Sequence, residues 1–306
     1  MIELVGLGHN CLDNLARVSK MLEFDESGRL SELGINFGGP ATTAMVAAQR
    51  LGASTTVIGV VGDDAPGEAV VAALRQEGVQ TDLMRVAPGG LTQVAVVLIR
   101  ESDGKRAIYA RMGPDADQGL SVADRERIAS AKVLHLDGHL MGLAQEAARF
   151  ARERGIPVTV DANTLKHDMS TLIGLSDYLI TSAAFPKCFF PDFTDYEDSA
   201  RRFLAMGPRV VVTTLGEQGS RTWTRDGMSF DRPAFKVDVV DTTGAGDVFH
   251  GAYVYGVARG WDLPYITDLS SACAAMKCRK LGGQPGIPTL AQLRVFLAEH
   301  GVTNPD

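Results

Sequence analysis

Three observations predict an α/β fold with a central, mostly parallel sheet flanked by helices. Short apolar strand-like runs alternate with helix-like runs through most of the 306 residues, the rhythm of strands covered on both faces. Two segments of mixed polar and apolar residues, at about 14–37 and 91–112, break that rhythm and read as strands of another kind. A chain of this length that is 45% apolar can bury a sizeable core.

The elements follow in order. The chain enters a strand at once, over residues 3–7. Pro40 can start a helix over 41–50, because its missing N–H costs nothing at a first helical position. Residues 55–61 are β-branched and read as a strand, and 66–76 read as a helix ended by Gly78. Within 91–112, Ser102-Asp103-Gly104-Lys105 marks a hairpin turn. Residues 133–136, 157–160, 178–181 and 209–214 are short apolar strands, separated by helical stretches such as 143–154. Asp226-Gly227 is a strong turn signal between strands 222–225 and 228–231. A β-rich run, 235–240, leads into a Gly-rich turn and a helix over 248–258, and 264–280 and 290–299 are helical. No clean linker interrupts the chain, which reads as one domain, 1–306, with the two mixed segments inserted.

Charge and cysteines narrow the classes of function. A net charge of −7 argues against nucleic acid or an acidic membrane surface as partner. Apolar runs such as 94–99 are far too short to span a bilayer, and the N-terminus shows no basic region or cleavage site. Cys11, Cys188, Cys273 and Cys278 form no CxxC and no metal-ligand spacing, so buried reduced thiols and a cytoplasmic location are expected.

The chemistry is written in Asp241-Thr242-Thr243-Gly244-Ala245-Gly246-Asp247. A Gly-Ala-Gly turn at a helix start lets bare backbone N–H groups approach a ligand, and these groups with the helix dipole favour negative charge. Asp247 sits at that positive end, where its ionised form is favoured. An anion cradle beside a carboxylate that can take a proton from a hydroxyl is what phosphoryl transfer to an alcohol needs. The bland alternative is a Gly-rich loop with an Asp cap. The turn is not a Walker A loop, since no G-K-[ST] follows the glycines. Gly6-Leu7-Gly8 begins a dinucleotide fingerprint but has Cys11 where the third Gly belongs, which disfavours an oxidoreductase.

This run resembles the C-terminal signature of the ribokinase-like (PfkB) sugar kinases. Gly38-Gly39-Pro40-Ala41-Thr42-Thr43-Ala44, continuing through Leu51-Gly52-Ala53 to Gly59-Val60-Val61-Gly62-Asp63-Asp64 and Gly67, resembles the N-terminal one. Thr214-Leu215-Gly216 with Gly219, and the segment 280–288, fall where that family keeps nucleotide loops. Segments 233–251 and 282–288 look most like sulfofructose kinases and fructokinase-like members.

The resemblance implies a ribokinase-like fold whose two mixed segments form a small β-sheet lid over the sugar, often shared in a homodimer. It implies ATP and Mg²⁺ as cofactors, with Asp247 as general base and the N–H groups of Gly244, Ala245 and Gly246 holding the transferred group. Asp13 would bind sugar hydroxyls, with Gly38 and Gly39 passing close to the sugar. Thr43 stands where ribokinases usually carry an Asn, which argues against ribose. Thr214, Gly216, Gly219, Lys280 and Gly283 would border ATP. Asp241, Thr243 and Gly282 occupy positions that bind a monovalent cation such as K⁺, although Lys280 could supply its own charge there.

One departure is Thr181-Ser182-Ala183-Ala184-Phe185, which lacks the family's Asn-x-x-Glu. Mg²⁺ would then rest on ATP phosphates, water and more distant acids, with Ser182 keeping part of the Asn role. Arg29, Arg111, His139 and Lys166 are cations that would suit an anionic sugar. Tyr109-Ala110-Arg111 is similar to the Tyr-x-Arg of ketodeoxygluconate kinases, whereas Asp137-Gly138-His139 has no Arg where sulfofructose kinases would place one. His9, His167, His250 and His300 show no ligand spacing. The expected activity is phosphorylation of a primary hydroxyl of a small sugar, a ketohexose or derivative first. An acidic keto sugar or its sulfonate analogue, a nucleoside, and a non-catalytic sugar- or nucleotide-binding sensor are the alternatives.

Overall fold

The computed structural model describes residues 2–115, 118–163 and 168–303. The strands of the first half are β1 (Leu4–Leu7), β2 (Cys11–Val18), β3 (Leu30–Gly38), β4 (Thr55–Gly62), β5 (Met84–Ala87), β6 (Gln93–Arg100) and β7 (Arg106–Arg111). Those of the second half are β8 (Val133–Leu136), β9 (Val158–Ala162), β10 (Tyr178–Ser182), β11 (Val210–Thr214), β12 (Ser220–Thr224) and β13 (Ser229–Arg232). Between them run α1 (Pro40–Arg50), α2 (Ala65–Gln76), α3 (Val122–Ala129), α4 (Met141–Glu153), α5 (Ser170–Leu175), α6 (Phe185–Phe189) and α7 (Tyr196–Met206). Helices α8 (Ala245–Arg259), α9 (Leu263–Lys277) and α10 (Leu290–Glu299) close the chain.

The large sheet has the order β13-β12-β11-β10-β9-β8-β1-β4-β5. It is parallel from β5 to β11, and the hairpin around Asp226-Gly227 adds β12 and β13 antiparallel at one edge. Strands β1, β4, β8 and β9 are buried along their whole length, as expected where helices cover both faces. Side chains alternate between two cores. Leu4 and Val133 pack with Met45 of α1, Val248 of α8 and Leu269 of α9. Val5 and Leu134 pack on the other face with Leu143 and Phe150 of α4 and Phe203 of α7. Full burial of each large apolar side chain contributes about 1.5–3 kcal/mol.

Strands β3-β2-β6-β7 form a separate four-stranded sheet, with β2 and β6 parallel and the outer pairs antiparallel. Pairing of Asp13 with Asn36 and Ala95, and of Ala95 with Ala110, sets the register and therefore the faces. One face carries Asp13, Leu15, Arg17, Ala95, Val97, Ile99 and Arg106. Its apolar members pack around Leu281, in the loop after α9. The opposite face leaves Leu33, Ile35, Val96 and Tyr109 exposed.

Three expectations are corrected here. The lid begins at Cys11 rather than near 14, so Asp13 lies within β2, and 19–29 joins β2 to β3 without strand pairing. The β-rich run 235–240 forms no strand. Instead Phe235 and Val237 pack against the helical core, with the Phe235 ring against Phe296 and His300. Finally, α9 stops at Lys277, three residues early. Among the described residues no helix is long and apolar enough to cross a membrane.

Candidate active site

The carboxyl ends of the parallel strands lie along one edge of the large sheet, and the strand order reverses between β1 and β8. Ligands of open α/β sheets bind in the crevice at such a point. Asp137, the first residue after β8, fills the base of that crevice and is almost wholly buried. One of its carboxylate oxygens accepts the N–H groups of His9 (3.2 Å) and Ala41 (3.3 Å), and the other that of His139 (3.0 Å). Burial pushes its pKa up to about 7, while the three N–H donors pull the other way. His9 and His139 meet edge to face above it, with ring centres 3.9 Å apart.

Gly38-Gly39-Pro40 turns the chain from β3 into α1 beside this crevice. Gly39 has φ 111°, and a Cβ there would overlap the His9 carbonyl, so glycine is required on both counts. Thr43 is enclosed within α1 at 2% exposure. Gly38 lies against Asp13, which accepts the Cys11 thiol at 3.2 Å. Burial raises the Asp13 carboxyl, and bonds from Cys11 and Asn36 lower it.

The anion turn forms the far wall. Gly244 is left-handed (φ 73°) and caps α8, and a Cβ built on it would come within 2.9 Å of Gly283 Cα. The Ala245 N–H is spent inside the turn, donating to the Thr242 carbonyl at 3.2 Å. Among the described residues, the N–H groups of Gly244, Gly246 and Asp247 have no acceptor. The open donors of the cradle are therefore these three, shifted from the expected Gly244, Ala245 and Gly246.

Asp247 is partly exposed, and its carboxyl is pushed up to about 6. Burial is the main cause and Asp161 adds to it; His250 and Arg106 oppose, and Asp13 contributes a smaller upward push. Burial and the neighbouring acids thus work against the helix N-terminus that was expected to keep Asp247 ionised. Behind it, Asp161 at the end of β9 faces His250 Nε2 at 3.3 Å, one helical turn past Asp247. His135 beside them is wholly buried and held near pKa 3, mainly by burial. Sequence reading gave His250 no role and passed over Asp161. Their pairing joins β9 to α8, which no spacing announces.

Asp241 ties the turn to the loop after α9. Its carboxylate accepts Thr243 N–H and Gly282 N–H, both at 2.8 Å. Lys280, expected near this point, is exposed. Lys277 stands there instead, donating from Nζ to the Asp241 carbonyl at 2.8 Å. Burial lowers its pKa, and the Asp241 carboxylate pulls it back up.

From the lid, Arg106 reaches the turn and donates to Thr242 Oγ1 at 3.2 Å. Arg106 was not anticipated; its exposed hairpin position gave no signal. Arg111 pairs with Val94, on the face away from Asp13. It donates to the Thr92 carbonyl at 2.8 Å and lies 3.8 Å from Asp64. Arg29 is exposed just before β3, and Lys166 and His167 lie outside the described residues.

At the end of β11, Thr214 Oγ1 donates to the Thr181 carbonyl, and Gly216 and Gly219 both have positive φ in the turn that follows. Ser182, at the end of β10, donates to the Asn163 carbonyl at 2.8 Å and accepts the Phe185 N–H, so its hydroxyl is engaged. Among the described residues no three His, Cys, Asp or Glu side chains are grouped to hold a metal ion.

Comparison with known proteins finds relatives along nearly the whole chain. The chain is 27% identical over 301 residues to an ATP-dependent ribose-1-phosphate kinase of Halopiger xanaduensis, covering 98% of this chain and 99% of that one. It is 26% identical over 282 residues to a 5-dehydro-2-deoxygluconokinase of Clostridium perfringens, covering 85% and 83%. Its fold superposes on Arabidopsis thaliana ribokinase complexed with ribose and ATP with a TM-score of 0.86 at 22% identity, covering 97% and 99%. Residues 1–290 match the pfkB family carbohydrate kinase profile, and the chain belongs to that family of sugar kinases.

Proposed function

We propose that this kinase transfers the γ-phosphoryl group of MgATP to a primary hydroxyl of a small sugar, with a ketohexose or close derivative as the first candidate. The observation that carries the reading is the Asp247 carboxyl in the first turn of α8, beside the open N–H groups of Gly244, Gly246 and its own backbone, with its pKa raised by its surroundings. A carboxylate poised near neutrality removes a hydroxyl proton effectively, and the three N–H groups hold charge developing on the transferred group. Asp13 and Asn36, side by side on the lid, offer acceptor and donor to sugar hydroxyls. Arg106 places positive charge over the turn. Thr214, Gly216 and Gly219 border the nucleotide from the next strand ends. The chain works as one domain, with the small sheet as an inserted lid that excludes water.

Mg²⁺ enters with ATP as part of the substrate, since Ser182 is engaged and no acid follows it. A monovalent cation does not fit at Asp241, Thr243 and Gly282. The Asp241 carbonyl already faces Lys277 Nζ, and its carboxylate faces two N–H donors. No step therefore runs through K⁺.

A second reading, an acidic keto sugar, is favoured by the His9–His139 pair over the crevice and by the gluconokinase relative. On the lid's outer face, Leu33, Ile35 and Tyr109 are each more than 60% exposed and suit a second copy of the chain. Sedimentation of wild type and Ile35→Glu tests that homodimer. ADP release with MgATP and a panel of neutral and acidic sugars tests the activity. Turnover on a neutral ketose supports the first reading and on an acidic keto sugar the second; no turnover on any sugar overturns both.

A further inference from the structure

Among the described residues, Lys277 is the only lysine or arginine that the fold fully buries. It ends α9, where the helix dipole favours a cation, and its Nζ donates to the Asp241 carbonyl at 2.8 Å. Around that bond three segments meet. The Cys278 carbonyl accepts the N–H groups of Val240 (2.8 Å) and Asp241 (3.2 Å), fixing the approach to the anion turn. The Asp241 carboxylate then clamps Thr243 on one side and Gly282 on the other. An ammonium withdrawn from water carries a large desolvation penalty, which leucine or methionine at the same position would not.

We propose that the Lys277 ammonium is the resident cation of the anion turn, standing in place of a monovalent metal ion, so that phosphoryl transfer needs no K⁺. The proposal rests on the kinase reading above. A metal ion at this point would need the Asp241 oxygens, and the N–H hydrogens of Thr243 and Gly282 point at both carboxylate oxygens. The Thr243 hydroxyl is buried without a partner among the described residues, but one hydroxyl is not a coordination shell. Lys277 brings its charge on the chain. It draws the Asp241 carbonyl inward, away from the incoming anion, and so keeps the path through Thr242 and Thr243 that turns the Gly244, Gly246 and Asp247 N–H groups outward. The charge also lies within electrostatic reach of Asp247.

The test uses the full chain in chlorides of K⁺, Na⁺, NH₄⁺ and tetramethylammonium at equal ionic strength. Tm is read without ligand, and MgATP affinity by calorimetry. Wild type is expected to give one Tm and one affinity in all four salts. Lys277→Met removes the charge at similar length. It is expected to lose roughly tenfold in MgATP affinity in tetramethylammonium, the scale of a lost bond to a charged group. In Lys277→Ala, which removes the charge and also opens the space, part of that loss should return with NH₄⁺ or K⁺. Recovery by NH₄⁺ is a response that a helix-capping lysine would not produce.

A wild-type Tm or affinity that rises with K⁺ over Na⁺ and tetramethylammonium overturns the proposal. So does a Lys277→Met protein with full affinity in tetramethylammonium. If Lys277→Met does not fold, the wild-type salt series decides alone. If wild type binds no MgATP in any salt, the kinase reading falls, and the ligand-free Tm series still decides what Lys277 does.

Discussion

The anion turn and the lid face each other across one crevice, and they are held by opposite means. From Asp241 to Asp247 the chain is fixed largely by backbone bonds, a left-handed glycine and two wholly buried side chains, Asp241 and Lys277. The lid is fixed by strand register, and its useful groups are side chains: Asp13, Asn36 and Arg106. A backbone device keeps its N–H groups under most substitutions but fails where its conformation demands glycine, as at Gly244. A side-chain device can be retuned residue by residue. On the proposed reading, the turn suits the phosphoryl group of ATP, common to every reaction, and the lid suits the sugar, which varies.

The largest effect expected from breaking the turn is at Asp247. Asp247→Asn keeps the shape and removes the base, and a positioned base is worth about 10²–10⁴ in rate. ADP release should fall by that factor while calorimetry shows MgATP still bound. Retained turnover would mean that the proton leaves by another route. Gly244→Ala should come next. It strains a φ of 73° and pushes against Gly283, so the open N–H groups move. Loss of one such donor typically costs about 10²–10³ in rate. A near-normal rate with a lowered Tm would make Gly244 a folding residue only.

The contrast also explains what the sequence could reveal. The turn was legible because its conformation demands particular residues: glycines where Cβ atoms do not fit, and acids at a helix start. The alternation of strands and helices was legible for a similar reason, since each strand of the parallel sheet must be apolar on both faces. Which lid residues face the crevice depends on a one-residue register, and sequence leaves that open. Hence Arg111 was selected and Arg106 was not. Lys277 was hidden inside the apolar run Ala272–Cys278, as an ordinary helix-end lysine. The run 235–240 misled because β propensity is context-dependent, and here Phe235 and Val237 pack on the helical core instead of pairing.

A finer effect lies in the acids behind the turn. With the Asp247 pKa raised to about 6, the base is active when deprotonated, so kcat/KM should fall as pH drops through about 6. Burial, Asp161 and Asp13 raise this value, and His250 and Arg106 lower it. Asp161→Asn removes a raising charge, so the acid limb should move to lower pH, by about one unit for a neighbouring carboxylate. His250 loses its carboxylate partner in that variant, and the plateau rate reports whether the pair also holds α8 in place. An acid limb that stays put would detach Asp161 from the base and leave the β9–α8 pair a purely structural one.

The smallest expected effect belongs to a pair on one strand. Arg106 and Arg111 end the same strand, β7, five residues apart, so alternation puts them on opposite faces. Arg106 touches Thr242 of the turn, whereas Arg111 spends its guanidinium on the Thr92 carbonyl and Asp64. Arg106→Ala should lower kcat by about tenfold, the scale of one charge-assisted bond to a transferring phosphoryl group. Arg111→Ala should leave kcat within about twofold, since a partly exposed ion pair contributes little. If Arg111→Ala instead raises KM for an acidic sugar and Arg106→Ala does nothing, the lid offers its other face to the substrate. That outcome would require the sugar to reach Arg111 from a neighbouring molecule, and it would tie substrate choice to the dimer rather than to the single chain.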